Sequence, residues 1–291
     1  AHLPELPLEN IICEPCGRDT AAAVGLAAEH IAHRDPQGIM VVLPADHYIA
    51  DVEQFRRVLK AGVEVAREGE WVLTIGIRPS RPETGYGYIQ QGEQWEESYG
   101  TAVFKAVAFH EKPDLNRALK YLESGNYLWN SGMFIWRVDL IRNLITRFLP
   151  QLDAGLSQIA ASIDSEEEEQ VTAAVYQDLP RISVDYGIME KCDNVLVMPA
   201  TFGWDDVGSW TALGRYGEVD QQGNVVKARG VFIDTHNCLV YAPNRVVATL
   251  GVKDLLIVDD GDSLLICQKD RDQEIKKVVE ALRQAGHDEV I

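Results

Sequence analysis

Short, continuously apolar runs alternate with amphipathic helical stretches over the first two thirds of the chain, and this alternation restricts the fold more than any other feature. Ile39-Met40-Val41-Val42-Leu43 is apolar at every position, the pattern of a strand covered on both faces. Asp51 with Gln54 resembles a capping box, after which Phe55, Val58, Leu59 and Val63 recur at helical spacing until Gly69. Trp71 to Ile77 is a second buried run, and Thr20 to Ala32 is alanine-rich behind the cap candidates Asp19 and Thr20. Asp114, following Pro113, opens a helix with Leu115, Ala118, Leu119 and Leu122 on one face and Gly125 at its end. Such alternation predicts a layered α/β sheet that offers ligands the carboxyl ends of its strands.

From Gly223 the texture changes to β-branched runs separated by turn residues: Gly230 to Ile233, Cys238 to Tyr241, Val246 to Leu250, Leu255 to Val258 and Leu264 to Cys267. This predicts a small all-β module. A last helix carries Ile275, Val278, Val279 and Leu282 on one stripe, with Asp270 and Gln273 as its expected caps and Gly286 as its end. The module boundary is expected near Leu213 to Gly223, giving an α/β domain over 1–218 and a β module with terminal helix over 219–291.

Composition narrows the function. With 46% hydrophobic and 25% charged residues the chain is globular rather than disordered. Lysine plus arginine 27 against aspartate plus glutamate 45 gives a net charge of −18, a field that repels nucleic acid but tolerates a small phosphorylated ligand held by a few local groups. No apolar run approaches the ~18 residues of a membrane span. The first residues lack a basic region followed by an apolar one, so a cytoplasmic protein is expected. The 5 cysteines are odd in number and dispersed. Cys13 and Cys16 form a C-x-x-C with no second pair for zinc; between a thioredoxin-like redox pair and chance, chance is the expected reading, with a strand-like Asn10-Ile11-Ile12 before it. The acidic run Glu166 to Glu169 reads as a solvated face.

Several short segments break the local strand and helix rules. Leu43-Pro44-Ala45-Asp46-His47 sets a carboxylate and an imidazole just past a buried strand. Trp204-Asp205-Asp206-Val207-Gly208-Ser209-Trp210 sets two acids between tryptophans; carboxylates from two such segments make a hard-oxygen site suited to magnesium carrying phosphate. Glu83-Thr84-Gly85-Tyr86-Gly87-Tyr88 alternates glycine with bulky residues, which permits close backbone approach. Phe109-His110-Glu111-Lys112-Pro113 pairs an acceptor for hydroxyls with a point charge for phosphate. Trp129-Asn130-Ser131-Gly132-Met133-Phe134 puts an amide beside a glycine ahead of an apolar strand. Singly, each also reads as an ordinary cap, bulge or surface ion pair.

Together, and in this order, they resemble the sugar-1-phosphate nucleotidyltransferases, most closely the mannose-1-phosphate guanylyltransferases, or GDP-mannose pyrophosphorylases. Glu14-Pro15-Cys16-Gly17-Arg18-Asp19-Thr20-Ala21 looks like the family's E-P-x-x-R-N-T-A, with Asp19 where Asn is usual. Leu43 to His47 looks like its L-P-A-D-H, and Trp204 to Trp210 like its W-x-D-x-G-x-W. The resemblance spans nearly the whole chain. It implies a Rossmann-like, GT-A-like mixed α/β sheet with a small C-terminal β-helix-like module and terminal helix. The activity it implies is mannose 1-phosphate plus GTP giving GDP-mannose plus pyrophosphate by metal-assisted in-line transfer. By the same resemblance Asp46 and Asp206 hold Mg²⁺, Lys112 holds the sugar phosphate, and Glu111, Asn130 and Gly87 contact the hexose. Glu14, Thr20 and Pro44 would lie against guanine and ribose. Asp185 in Ser183-Val184-Asp185-Tyr186 is a further sugar-side candidate, with a structural role equally open. A homodimer is an open expectation.

Family members also carry a glycine-rich loop, G-G-x-G-T-R-L-x-P, and a P-K segment ahead of E-P-x-x-R. Residues 1–291 contain neither, and Ala1 to Asn10 resembles the stretch just before E-P-x-x-R. Because backbone N–H groups of such a loop cradle phosphates, these residues alone are expected to show negligible guanylyltransfer and to keep sugar contacts better than nucleotide contacts. Another sugar-1-phosphate nucleotidyltransferase, and a non-catalytic nucleotide-sugar-binding regulatory subunit, remain as alternative readings.

Overall fold

Alternation of side chains along β-strands decides which residues of the central sheet meet which helices. The computed structural model describes residues 5–290, apart from the side chain of Gln273; the start of Ala1 to Asn10 therefore lies outside the described residues. In chain order come α1 (Asp19–Arg34), β1 (Ile39–Val42), β2 (Tyr48–Ile49), α2 (Val52–Glu68), β3 (Val72–Ile77), β4 (Tyr88–Ser98), β5 (Thr101–His110), α3 (Leu115–Ser124) and β6 (Tyr127–Arg137). Then follow α4 (Val138–Phe148), α5 (Pro150–Ala160), α6 (Glu168–Tyr176), α7 (Val184–Gly187), β7 (Val195–Ala200) and β8 (Trp204–Asp205). The contacts divide the chain into two units, one holding the residues up to Ala45 with Ile49–Trp204, the other Asp46–Tyr48 with the chain from Asp205 on.

The first unit is an α/β layer. Its strands run in the order β1-β6-β3-β7-β5-β4, with β4 also pairing to β6. The β3–β7 pair is parallel and the other pairs are antiparallel, so the sheet is mixed. Leu73, Ile75 and Ile77 of β3 share a core with Ile135, Met198 and, from α2, Val58, Ala61 and Val65. Val72, Phe134 and Trp136 point the other way, into a core with α1, α4 and α5. Such burial on both faces explains the uninterrupted apolar runs.

Local signals held where side-chain chemistry was specific. Asp51 Oδ1 accepts from Gln54 N at 2.9 Å and caps α2, and Asp114 Oδ1 accepts from Arg117 N at 2.9 Å and caps α3. Gly125 closes α3 at φ +70, the left-handed conformation a helix end favours. Asp19 and Thr20 do not cap α1 as expected. Asp19 itself sits at φ +67, a region in which Asp and Asn are the most tolerant side-chain residues, and Thr20 Oγ1 instead accepts from Val184 N at 2.9 Å. Asn10 to Ile12 is no strand: a 3₁₀ turn over Leu8–Asn10 precedes two exposed isoleucines with no ladder partner.

The second unit carries α8 (Trp210–Gly214), β9 (Val225–Ile233), β10 (Leu239–Leu250), β11 (Leu255–Asp259), β12 (Leu264–Gln268) and α9 (Ile275–Gln284). Strands β9, β10 and β11 pair parallel, and β12 closes the sheet antiparallel. The two runs expected as separate strands, Cys238 to Tyr241 and Val246 to Leu250, form one strand. Its register shifts between Ala242 and Val246, where Pro243 has no N–H to give the ladder. Asn224, buried at 1% exposure, stitches successive turns: its Nδ2 donates to Thr235 O at 2.8 Å and its Oδ1 accepts from Cys238 N at 2.9 Å. Ile275 of α9 packs on the core of Leu239, Leu256 and Val258. The expected capping of α9 is corrected: the helix starts only at Ile275, after a 3₁₀ stretch over Lys269–Glu274, with no side-chain cap, and the side chain of Gln273 lies outside the described set. Among the described residues no helix is long and apolar enough to cross a membrane.

Candidate active site

Asn130 owes its position to a bulge. Strand β6 spends Ser131, Gly132 and Met133 where β3 spends Ile75 alone, since Thr74 pairs with Phe134 and Gly76 with Asn130. Gly132 makes the excursion at φ +70. Side chains replace the lost ladder bonds: Ser131 Oγ donates to Ile75 O at 2.7 Å, and Asn130 Oδ1 accepts from Gly132 N at 3.2 Å and from Thr74 Oγ1 at 3.1 Å. Asn130 Nδ2 then donates to Asp185 Oδ1 at 2.8 Å. Asp185 stands on the one-turn helix α7, whose start is capped by Ser183 Oγ accepting from Tyr186 N at 3.3 Å.

Glu111 and Gly87 complete this cluster. The Glu111 side chain is 9% exposed, and its Oε2 is buried without a hydrogen-bond partner. A Cβ on Gly87 would come within 2.4 Å of that oxygen, so only glycine leaves the carboxylate its space. Gly87 O accepts from Asn130 N at 2.8 Å. Burial, reinforced by the charge of Asp185 and opposed by Lys112, pushes the Glu111 carboxyl up to about 7. Burial likewise raises Asp185. Lys112 lies at φ +45, with its Nζ 3.5 Å from Glu111 Oε1 and its side chain 57% exposed, a solvent-facing cation at the rim. Glu190 Oε1 accepts from Glu111 N at 3.2 Å and steadies this strained turn.

The E-P-x-x-R segment is fastened at both ends to one residue. Glu14 Oε1 accepts from Tyr176 OH at 2.5 Å, while Arg18 Nε donates to Tyr176 O at 3.1 Å. Burial and the bond to Glu14 raise the Tyr176 phenol. Thr20 is committed to the turn that carries Asp185. Pro44 stands opposite Gly132, 3.7 Å from where its Cβ would be. Cys13 is exposed and Cys16 half-buried, and both are free thiols.

In the second unit, Asp46, His47, Asp205 and Asp206 gather electrostatically. Burial lowers the His47 imidazole pKa, and Asp46, Asp206 and Asp205 each oppose that shift. The Asp46 side chain is 86% exposed. Asp206 Oδ1 accepts from Gly208 N at 3.1 Å, and a Cβ on Gly208 would press on Asp206 Oδ2 at 2.7 Å. Asp205 differs: it is 5% exposed, accepts from Val207 N at 2.9 Å and is held by Arg215 at 2.6 Å, so it serves the fold of the turn. Among the described residues no three His, Cys, Asp or Glu side chains form a metal-holding group. Two carboxylates, completed by phosphate oxygens and water, are the usual donor set for a hard divalent ion, and Asp46 and Asp206 carry oxygens of that kind.

Thr74, Glu190, Tyr176 and Arg215 were missed from sequence. A readable signal existed for Thr74, the one polar side chain inside the apolar run Val72 to Ile77. Glu190 and Tyr176 act through long-range pairing, which leaves no local mark, and Arg215 reaches back ten positions to Asp205.

A mixed sheet with a buried amide–carboxylate cluster, together with a parallel β module, defines the class. The chain belongs to the nucleotidyl transferase family, whose model matches residues 5–222. A second model, the MannoseP isomerase/GMP-like beta-helix domain, matches residues 228–282. As a family, nucleotidyl transferases generally use a divalent metal. Mannose-1-phosphate guanylyltransferase ManC of Salmonella typhimurium is 39% identical over 284 residues, 97% of this chain and 59% of its own length. Alginate biosynthesis protein AlgA of Pseudomonas aeruginosa is 37% identical over 292 residues, covering 98% of this chain and 59% of its own. The chain thus spans about 59% of the length of these curated relatives. A crystal structure described as mannose-1-phosphate geranyltransferase from Thermus thermophilus superposes with a TM-score of 0.82 at 40% identity, covering 94% of this chain and 77% of that one.

Proposed function

We propose that the chain carries the sugar-phosphate and cation sites of a mannose-1-phosphate guanylyltransferase, which joins mannose 1-phosphate and GTP into GDP-mannose and releases pyrophosphate. The observation that carries this reading is the buried, interlocked set Glu111, Asn130 and Asp185 around Gly87, with Lys112 at its rim. An orphaned carboxylate oxygen and a fixed amide suit a polyhydroxylated ligand, because each buried polar group left without a partner costs ~1–3 kcal/mol until a hydroxyl fills it. Lys112 then meets the phosphate as a point charge, and its exposed stem lets it follow the ligand. Glu14, Thr20 and Pro44 belong to the guanine and ribose side in this reading. The first two reach it as fixed members of the Tyr176 and Val184 contacts.

Asp46 and Asp206 would hold the divalent ion, which we take to be Mg²⁺. When bound, the ion neutralises phosphate charge in the transition state, an effect worth several kcal/mol. No covalent nucleophile is required of the protein; its residues position the sugar phosphate for in-line attack. The free thiols suit a reducing, cytoplasmic setting.

Two assays test the reading. Residues 1–291 should bind mannose 1-phosphate in a calorimeter. Joined to a phosphate-cradling glycine-rich segment, the same residues should release pyrophosphate from GTP with Mg²⁺ and mannose 1-phosphate. Equal turnover of glucose 1-phosphate would favour a different nucleotidyltransferase, and binding without turnover a regulatory subunit.

A further inference from the structure

Arg81 lies outside every motif that carries the proposed reaction, yet it contacts both segments that frame the hexose cluster. Its Nε donates to Glu83 Oε2 at 3.1 Å and its Nη2 reaches Tyr86 OH at 3.4 Å. The guanidinium also lies over the Trp129 ring, 5.0 Å from its centroid, and over the Tyr86 ring at 5.9 Å. Tyr86 and Trp129 meet edge to face at 5.2 Å. The side chain is 35% exposed, so the group is partly desolvated, where cation–π contacts gain strength.

Glu83 passes this hold along the loop. Its Oε1 accepts from Gly85 N at 3.1 Å, and its own N donates to the hydroxyl of the buried Tyr88 at 2.9 Å. The loop ends at Gly87, whose carbonyl accepts from Asn130 N and whose missing side chain makes room for Glu111 Oε2. On the other flank, Trp129 immediately precedes Asn130 in β6. One planar cation therefore ties the glycine loop to the strand bearing the sugar-side amide. Arginine suits this because its rigid fork can bond a carboxylate while its face stacks on a ring, which a lysine ammonium cannot do.

We propose that Arg81 is a positioning residue for hexose recognition, locking the loop Glu83–Gly87 against Trp129 so that Gly87 and Asn130 stay in register around the ligand. The proposal rests on the sugar-phosphate reading above. Among the described residues the hydrogen bonds and ion pair of Arg81 go to Glu83 and Tyr86, so it acts on affinity through the loop.

Arg81→Ala and Arg81→Lys, measured on the intact chain, test it. Amide hydrogen exchange in Arg81→Ala should quicken at Glu83, Gly85 and Asn130 while Val72–Ile77 keeps its protection, which also confirms folding. Mannose 1-phosphate should bind about 10-fold more weakly. Arg81→Lys should recover little of this, because it keeps the charge and loses the fork. Full rescue by lysine, or affinity within twofold of the parent with unchanged loop exchange, would overturn the proposal. A parent that binds no mannose 1-phosphate would instead sink the functional reading, and the exchange data would still decide whether Arg81 holds the loop.

Discussion

Asn130 and Asp206 sit in turns of the same build, each accepting a hydrogen bond from the glycine two residues on, at 3.2 Å from Gly132 N and 3.1 Å from Gly208 N. Their surroundings differ in kind. Asn130 is 9% exposed, with its amide oxygen and nitrogen shared among Thr74, Gly132 and Asp185. Asp206 is half-buried in an acidic group that runs from Asp46, 86% exposed, to Asp205, 5% exposed. The same local device thus stands among interlocked polar partners in one unit and beside an exposed carboxylate in the other. A neutral, hydroxyl-rich ligand is recognised by fixed polar groups already desolvated, whereas a hydrated cation is recognised by carboxylates that keep their charge in water.

This contrast can be broken most sharply with a metal probe. Asp46→Asn and Asp206→Asn should each weaken Mn²⁺ binding, followed by electron paramagnetic resonance, by at least the ~10–100-fold that even a ligand-orienting partner is worth. Metal-free mannose 1-phosphate affinity should stay within twofold. A loss of sugar-phosphate affinity of the same size would show that the two groups are not separate devices.

Stability sharpens the comparison next. Gly87→Ala forces a Cβ to within 2.4 Å of Glu111 Oε2 and should cost ~1–3 kcal/mol in urea unfolding. Asn130→Ala leaves the half-buried Asp185 without its amide donor and should cost a similar ~1–3 kcal/mol. Asp206→Ala, at a half-buried position whose Oδ1 holds the Gly208 N–H, should cost less, about 1 kcal/mol. If all three cost the same, the buried cluster is no more interlocked than the acidic one.

Proton linkage is the remaining contrast. The folded state holds the Glu111 proton up to about 7 instead of the usual 4.5, so it binds more protons than the unfolded chain between those values. Stability contributed by this group therefore falls as pH rises through that window and is flat above it. Asp185, also raised by burial, adds a slope of the same sign. Glu111→Gln should flatten the Glu111 part of the slope in pH-dependent unfolding; an unchanged slope would remove Glu111 as its source.

How far the sequence foretold this follows from how local each signal is. Caps at Asp51 and Asp114, and a strand in the run Ile39 to Leu43, depend on neighbours within a turn or a strand and were legible, although that strand ends at Val42 on the sheet edge, only Met40 is fully buried and Leu43 is exposed. The motifs around Asp46, Asp206, Glu111 and Asn130 were legible as irregular patches of polar residues beside glycine. What the sequence hid was commitment. Thr20 reads as a helix cap but serves Val184, and Asp205 and Asp206 look equivalent although one is buried against Arg215. The break in β10 was read as a turn because Pro243-Asn244-Arg245 has turn composition, whereas the parallel pairing with β9 carries the strand through it.

Calorimetry with mannose 1-phosphate and free mannose, on the parent chain and on Lys112→Ala, tests the central claim most directly. If the cluster of Glu111, Asn130 and Asp185 holds the hexose and Lys112 the phosphate, the parent binds the phosphorylated sugar more tightly than mannose. Lys112→Ala then binds it about 10-fold more weakly, in line with the ~1.5–3 kcal/mol of a charge-assisted contact, and binds free mannose as the parent does. Equal affinity of parent and variant for mannose 1-phosphate, or no heat of binding to either, would contradict the account.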